Sequence, residues 1–133
     1  MAPDFTLPDL TGGKTTLSAL HGKAVLLDFW GTYCGPCKEE MPTIEKLRDE
    51  YRDRGLEVWG VTDDSAEKAQ RFLSDNHRPP PTLMDHGRSV FKKYKIEGIP
   101  VLILIGRDGK VAQFWKGVQC EKDIQAALEV VLR

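Results

Sequence analysis

The sequence has few cysteines and no long apolar run, the features that mark disulfide-rich secreted domains and membrane proteins. It contains only three cysteines in 133 residues, far below the density of a small secreted domain held together by disulfides. No apolar run approaches the ~20 residues that a membrane-spanning helix needs, and the segment Met1–Asp4 has no charged-then-apolar signal pattern. We therefore expect a water-soluble chain that is stabilised by a hydrophobic core.

The chain also lacks an excess of charge of either sign. Its 19 basic and 20 acidic side chains give a formal net charge of -1, and the two kinds are interspersed. A surface without a basic field does not attract nucleic acid or an anionic membrane, so we expect neither as a partner. The length suits one domain over residues 1–133.

Two of the cysteines stand close together behind an apolar run. Residues Ala24–Trp30 are apolar except for Asp28, which is typical of a strand buried on both faces. The sequence C-G-P-C at 34–37 follows and opens a helical pattern. Cys34 would lie at a helix N-terminus, where unpaired N–H groups and the macrodipole favour a nucleophilic thiolate. Cys37, one turn deeper, is placed to attack a mixed disulfide from inside.

The cysteine pair has two other interpretations, a structural zinc half-site and a pair of inert core thiols. Zinc needs about four ligands. The chain adds only Cys120, His21, His77 and His86, with no second pair at zinc-finger spacing. We therefore favour redox chemistry over a metal site, and we expect Cys120 to be a packing residue.

Asp28 is the only charged residue in the apolar run. Burial raises the pKa of a carboxyl group unless a cation or several donors compensate, and Asp28 precedes Cys34 by six residues. We expect it to lie beneath the cysteines as an acid–base group. The alternative is that it faces a sheet edge and is solvated.

The remaining pattern alternates strands with helices. It predicts a mainly parallel sheet covered on both faces, with the last strand antiparallel and the site at the carboxyl ends of the strands. We expect Pro42 to kink the first helix. We expect one helix to begin at 36, a second to run from 66 to near His77, a third to cover about 87–94 and a fourth to follow 120. The expected strands lie at 56–61, 82–84, 101–105 and 110–115, in addition to a hairpin of 5–7 with 15–17. An extended connector is expected at 78–81.

Two motifs resemble those of thioredoxins. The sequence F-W-x-x-Y-C-G-P-C-K at 29–38 is similar to the thioredoxin active site, and G-I-P at 98–100 to its cis-proline loop. The opening A-P-D-F-x-L at 2–7, G-K at 22–23 and an added helix and strand between 62 and 94 resemble the TlpA/ResA branch of thioredoxin-like thiol:disulfide oxidoreductases. The resemblance implies an α/β thioredoxin-like fold: a central mixed sheet, helices on both faces, an N-terminal hairpin and an inserted helix and strand.

The resemblance also implies roles for individual residues. Cys34 would be the attacking cysteine and Cys37 the resolving one, and Asp28 matches the buried aspartate of thioredoxins. Glu40 matches a glutamate that ResA-like proteins place near their cysteines. Pro100 would be the cis-proline that faces the disulfide, and the backbone of Ile99 would meet an extended substrate. The other residues expected to contact substrate are Trp30, Tyr33, Gly35 and Pro36.

The chain departs from the pattern at three positions. Tyr33 stands where the family usually has Trp, and Asp28 where the TlpA/ResA branch commonly has Asn. No Lys occurs in Leu56–Val61, the segment in which thioredoxins have a lysine that pairs with their buried aspartate. Glu40 or a water would therefore share the role of Asp28.

The predicted activity is the reduction of protein disulfides by thiolate exchange. The resemblance implies a disulfide-containing protein substrate, a dithiol electron-donor protein, a monomer, and no cofactor beyond the 34–37 disulfide. It suggests thiols of apocytochrome c or of cytochrome-oxidase assembly as substrates. The location would be the bacterial periplasm or the outer face of a membrane if a signal or anchor has been trimmed, and the cytoplasm otherwise.

Two other functions are weighed against this one. A redox-inactive binding module or metallochaperone could use the same fold, but copper-carrying relatives have C-x-x-x-C with a placed His. A thiol peroxidase would have Thr three residues before its reactive cysteine, where this chain has Gly31.

Overall fold

The computed structural model describes residues 1–75 and 79–133. Short 3-10 turns lie at Leu17–Leu20, Arg52–Arg54 and His86–Arg88. The strands and helices of the described residues are β1 (Thr6–Pro8), β2 (Lys14–Thr16), β3 (Ala24–Trp30), α1 (Gly35–Tyr51), β4 (Leu56–Thr62), α2 (Ala66–Ser74), β5 (Thr82–Met84), α3 (Ser89–Lys93), β6 (Val101–Ile105), β7 (Val111–Lys116) and α4 (Glu121–Val131).

The strands form a hairpin and one mixed sheet. β1 and β2 pair antiparallel as predicted, and the other strands follow the order β5-β4-β3-β6-β7. β3, β4 and β5 are parallel, whereas β6 is antiparallel to both β3 and β7. The reversal therefore comes one strand earlier than the sequence predicts. α3 has only five residues and spans about 7.5 Å, which is too short to carry the chain back to the opposite end of the strands. β6 therefore begins at the end of the sheet where β5 ends.

The central strand β3 divides the core into two layers. All seven of its residues are buried. Val25, Leu27 and Phe29 pack with the N-terminal hairpin and α3 on one face. Ala24 and Leu26 pack with α1 and α4 on the other face. Successive side chains of a strand point to opposite faces, so this one strand anchors both layers and holds the following loop firmly.

The helix ends differ in detail from the predicted ones. α1 is a single helix from Gly35 to Tyr51 that contains Pro42. α2 ends at Ser74, and the predicted end near His77 and the start of the connector at Arg78 lie outside the described residues. No helix in the described parts of the chain is long and apolar enough to span a bilayer.

The outer strand β7 is largely exposed. Val111 and Phe114 keep 42% and 40% of their surface accessible. Lys110 precedes the strand and Lys116 ends it. The pairing with β6 shifts register between Leu104 and Ile105, so the edge of the sheet is irregular there.

Candidate active site

Cys34 and Cys37 form a disulfide at the carboxyl end of β3. Their Cα atoms are 5.3 Å apart, and α1 begins at Gly35 with Cys34 as its N-cap residue. Cys34 keeps 8% of its surface accessible and Cys37 only 1%. The structure thus confirms the predicted position at the strand-to-helix junction, with Cys34 as the more accessible sulfur.

The first turn of α1 is arranged to stabilise a negative sulfur. The Cys37 N–H donates to Cys34 Sγ at 3.2 Å, and Pro36 occupies an early position where a helix has no use for a backbone N–H. In the reduced protein the same N–H group and the helix macrodipole would stabilise a thiolate at Cys34. Gly35 and Pro36 are exposed beside the disulfide, where a substrate could reach them.

Asp28 is buried on the central strand, on the same face of β3 as Trp30. It keeps 1% of its surface accessible and lies on the central strand opposite Gly60 of β4 and Leu102 of β6, so the alternative of a solvated sheet edge is wrong. Its Oδ1 has no hydrogen-bond partner. Burial, and then the charge of Glu40, raise the pKa of Asp28 to about 8. The carboxyl group is therefore protonated at neutral pH.

Glu40 is a second buried acid, one turn beyond Cys37 on α1. It keeps 2% of its surface accessible. Its Oε2 accepts the backbone N–H of Gln119 at 2.8 Å, and its Oε1 has no partner. Burial raises the pKa of Glu40, and the Gln119 hydrogen bond opposes the rise. Within the described residues neither acid has a lysine or arginine in an ion pair.

The loop at 98–100 contains a cis peptide bond and places Ile99 near the cysteines. The Ile99–Pro100 peptide is cis. Ile99 is partly buried against the cluster that contains Cys34 and Cys37. Pro100 is buried, and its carbonyl accepts the Gly117 N–H at 2.8 Å. Ile99 is therefore near the disulfide and still partly exposed.

Trp30 supports the disulfide from below. It is fully buried and packs on Phe72 with ring centroids 5.4 Å apart. Its Nε1 has no hydrogen-bond partner, and a Cβ at Gly60 would lie 2.8 Å from it. Trp30, expected to contact substrate, thus offers no surface to one. Gly60 is needed there because a larger residue would displace the indole.

Tyr33 is the exposed aromatic side chain next to Cys34. It keeps 64% of its surface accessible, and its hydroxyl donates to Asp63 Oδ1 at 3.0 Å. The neighbouring Thr32 N–H donates to Asp64 Oδ2 at 2.6 Å. Neither aspartate is predicted from the sequence as a partner of the site. Their position directly after β4 was the available signal, because the carboxyl ends of parallel strands meet at one edge of a sheet.

The expectation that Cys120 is a packing residue is wrong, because its side chain is exposed. Cys120 is a free thiol at the N-cap of α4, without a side-chain capping bond. Among residues 1–75 and 79–133 no group of three or more His, Cys, Asp or Glu side chains could hold a metal ion.

Comparisons of sequence and structure agree with this arrangement. Residues 1–114 match the AhpC/TSA family. The thiol-disulfide oxidoreductase ResA of Halalkalibacterium halodurans is 37% identical over 131 residues, 98% of this chain and 74% of that protein. ResA of Bacillus thuringiensis is 35% identical over 98% of this chain and 76% of its own length. A Chlorobium tepidum structure described as a thiol:disulfide interchange protein DsbE has a TM-score of 0.93 at 30% identity, covering 99% of this chain and 95% of that one.

Proposed function

We propose that this chain, which belongs to the AhpC/TSA family and is a thiol-disulfide oxidoreductase of the ResA type, works as a protein-disulfide reductase with Cys34 attacking and Cys37 resolving. One observation carries the proposal. The accessible sulfur caps a helix and accepts an N–H, while the other sulfur is buried behind it. This asymmetry favours attack by Cys34 on a substrate and later attack by Cys37 on Cys34.

The reaction begins with the reduced protein. The Cys34 thiolate attacks one sulfur of the substrate disulfide, so that a bond forms from Cys34 to the substrate and the other substrate sulfur leaves as a thiolate. Cys37 then loses its proton and attacks Cys34 Sγ, which closes the 34–37 disulfide and releases the second substrate sulfur. Two electrons have passed from the two cysteines to the substrate. A dithiol protein returns them by the reverse exchange.

Asp28 is the proposed acceptor of the Cys37 proton. With a pKa of about 8 this carboxyl group is mostly protonated at neutral pH, and it is the ionised fraction, which grows as the pH rises, that takes the Cys37 proton. A base whose pKa lies close to the working pH suits this step. Glu40 opposes the ionisation of Asp28 by its charge. We propose that the two acids act together, with Glu40 fixed in place by the Gln119 N–H.

The wider setting is also part of the proposal. We propose a monomer that receives electrons from a dithiol protein and needs no redox group other than its own disulfide. An extracytoplasmic location and substrates in cytochrome c maturation are supported by the resemblance to the TlpA/ResA branch. Ile99, Pro100, Gly35 and Pro36 are the proposed contacts for an extended substrate segment.

The reduction potential of the Cys34–Cys37 couple tests the direction of exchange. Trp30 packs in the same cluster as both sulfurs, so its fluorescence can follow equilibration with glutathione or thioredoxin. Each ~30 mV changes the exchange equilibrium tenfold. A value near the roughly -270 mV of thioredoxin is expected, whereas a value well above about -180 mV would indicate an oxidant or isomerase.

Replacement of each cysteine tests the assignment of the sulfurs. Cys34→Ser should abolish the reduction of insulin disulfides, and Cys120→Ser, the matched control at an exposed thiol, should leave it unchanged. Full activity of the Cys34→Ser protein would overturn the proposal. Turnover of hydrogen peroxide in a coupled assay would instead favour the thiol peroxidase.

A further inference from the structure

Tyr33 belongs to a chain of three polar side chains that begins beside Cys34. Its hydroxyl donates to one oxygen of Asp63 at 3.0 Å. The other oxygen of Asp63 accepts a hydrogen bond from the Arg88 guanidinium. The Asp63 side chain is largely buried, with 14% of its surface accessible. A carboxylate shielded from water binds its two donors more firmly than an exposed one does.

Two features fix the position of Arg88, its backbone conformation and the contact of its guanidinium with an aromatic ring. Its backbone adopts the left-handed conformation with φ of 63°, directly after Gly87 with φ of 80°. A residue other than glycine adopts this conformation only at an energetic cost, so the surrounding structure must hold it there. The guanidinium lies over the Phe91 ring, 4.7 Å from its centroid. The turn before α3 thus directs Arg88 towards Asp63.

The Tyr33 ring also packs on the backbone of the loop that precedes Cys34. A Cβ at Gly31 would lie 2.6 Å from Cε1 of the ring, so the ring lies directly on this glycine. Thr32 between them is fixed by its N–H bond to Asp64. Contacts therefore fix the backbone of 31–33 at several points, while the Tyr33 ring remains exposed to solvent.

We propose that Arg88 is a positioning residue for protein substrates, which acts through Asp63 to hold the Tyr33 ring as a docking surface beside Cys34. This inference rests on the reductase function proposed above. A ring that is already ordered loses less conformational entropy when a polypeptide binds against it, which is worth roughly 2- to 12-fold in affinity. A small disulfide that reaches Cys34 without covering Tyr33 gains nothing from this order.

The test compares two substrates in the full chain. For Arg88→Ala we expect the KM for insulin to rise about five- to tenfold, with kcat changed less than twofold. The rate with the small disulfide 5,5'-dithiobis(2-nitrobenzoate) should change less than twofold. Tyr33→Phe, which keeps the ring and removes the hydroxyl, should give the same pattern. Because both act through Asp63, the double variant should be no worse than either single one.

The chain offers a matched control in a second group of the same chemistry. The Tyr51 hydroxyl and the Arg54 guanidinium both bind the carboxylate of Glu129, and Arg54 lies over the Tyr51 ring. This group joins α1 to α4 and includes no residue of the active-site loop. Arg54→Ala should leave the KM for insulin unchanged.

Several outcomes would overturn the inference. These are an unchanged insulin KM in Arg88→Ala, additive effects in the double variant, or an equal loss with both substrates. If Arg88→Ala does not fold, Gly31→Ala provides an independent test, since its methyl group must displace the ring and should raise the same KM. A wild-type protein that reduces neither substrate would refute the proposed function instead.

Discussion

Asp28 and Asp85 are two aspartates buried equally deeply, at 1% and 0% accessible surface, in contrasting surroundings. The Asp85 carboxylate accepts the backbone N–H groups of Val90 and Phe91 at 3.0 and 2.9 Å and the Ser89 hydroxyl at 3.2 Å. Asp28 Oδ1 accepts nothing. The fold therefore supplies donors to both oxygens of Asp85 and leaves one oxygen of Asp28 without a donor.

The contrast separates a structural role from a chemical one. Buried polar atoms are normally hydrogen-bonded, and exceptions need an explanation. In the described part of the chain the buried side-chain atoms without a partner are Asp28 Oδ1, Trp30 Nε1 and Glu40 Oε1. Trp30 packs in the cluster that contains both cysteines, Glu40 lies one turn beyond Cys37 on α1, and Asp28 is close enough to Glu40 for its pKa to respond to that charge. The buried polar atoms without hydrogen-bond partners thus lie in and around the site. At Asp28 the consequence is a pKa raised to about 8.

The largest effect should come from removing the structural aspartate. Asp85→Ala leaves two buried N–H groups at the start of α3 unpaired, and each costs about 1–3 kcal/mol. We expect the free energy of unfolding in urea to fall by about 3 kcal/mol, with the activity of the folded fraction retained. Asp85→Asn keeps one acceptor oxygen and should lose less. A loss below about 1 kcal/mol would mean that these bonds do not hold α3.

Asp28→Asn should act on chemistry and not on folding. Without a carboxylate to take the Cys37 proton, resolution of the mixed disulfide should slow about 100-fold, which rapid-mixing kinetics with a single turnover of insulin would show. The free energy of unfolding at pH 8 should not decrease, since a buried ionisable group is lost. An unchanged resolution rate would remove Asp28 from the mechanism.

The stability of the wild-type protein should fall as the pH rises. The pKa of Asp28 is raised in the folded state to about 8 and is about 3.9 when unfolded, so between these values the folded state binds more protons. Its contribution is complete below pH 4 and is lost as the pH passes through 8. The slope cannot exceed about 1.4 kcal/mol per pH unit for one proton. Urea unfolding across this range should show the slope in the wild type and not in Asp28→Asn.

Glu40→Gln should have the smallest effect of the four. It removes the charge that is the second cause of the raised pKa of Asp28, while burial, the first cause, remains. The pKa of Asp28 should fall, and the rise of the resolution rate with pH should move to lower pH. The amide can still accept the Gln119 N–H, so the helix should be undisturbed. A shift to higher pH would contradict the assigned interaction between the two acids.

The sequence predicts most of the framework because local pattern determines it. Three strands, β3, β5 and β6, have their predicted bounds, since each is a short apolar run between punctuating residues. The disulfide at the start of α1 and the cis peptide at Pro100 follow from motifs of a few adjacent residues. Asp28 was recognisable because a charge in a fully apolar run is conspicuous.

What the sequence could not give depends on distant contacts. The Gln119 N–H that holds Glu40 is 79 residues away in the chain, and Arg88 is 25 residues from Asp63. No periodicity predicts such pairs. The full burial of Trp30 depends on Gly60 of the neighbouring strand leaving room for the indole. The early reversal at β6 depends on the length of α3, which ended before its predicted boundary.

The irregular outer edge formed by β7 affects whether molecules associate through their sheets at high protein concentration. An edge strand with exposed apolar residues can recruit the edge of another molecule and start aggregation. Here Lys110 and Lys116 flank Val111 and Phe114, and the register shift at Leu104 and Ile105 interrupts the regular ladder. Like charges and a mismatched ladder both oppose such growth, so this edge can stay uncovered while the molecules remain dispersed.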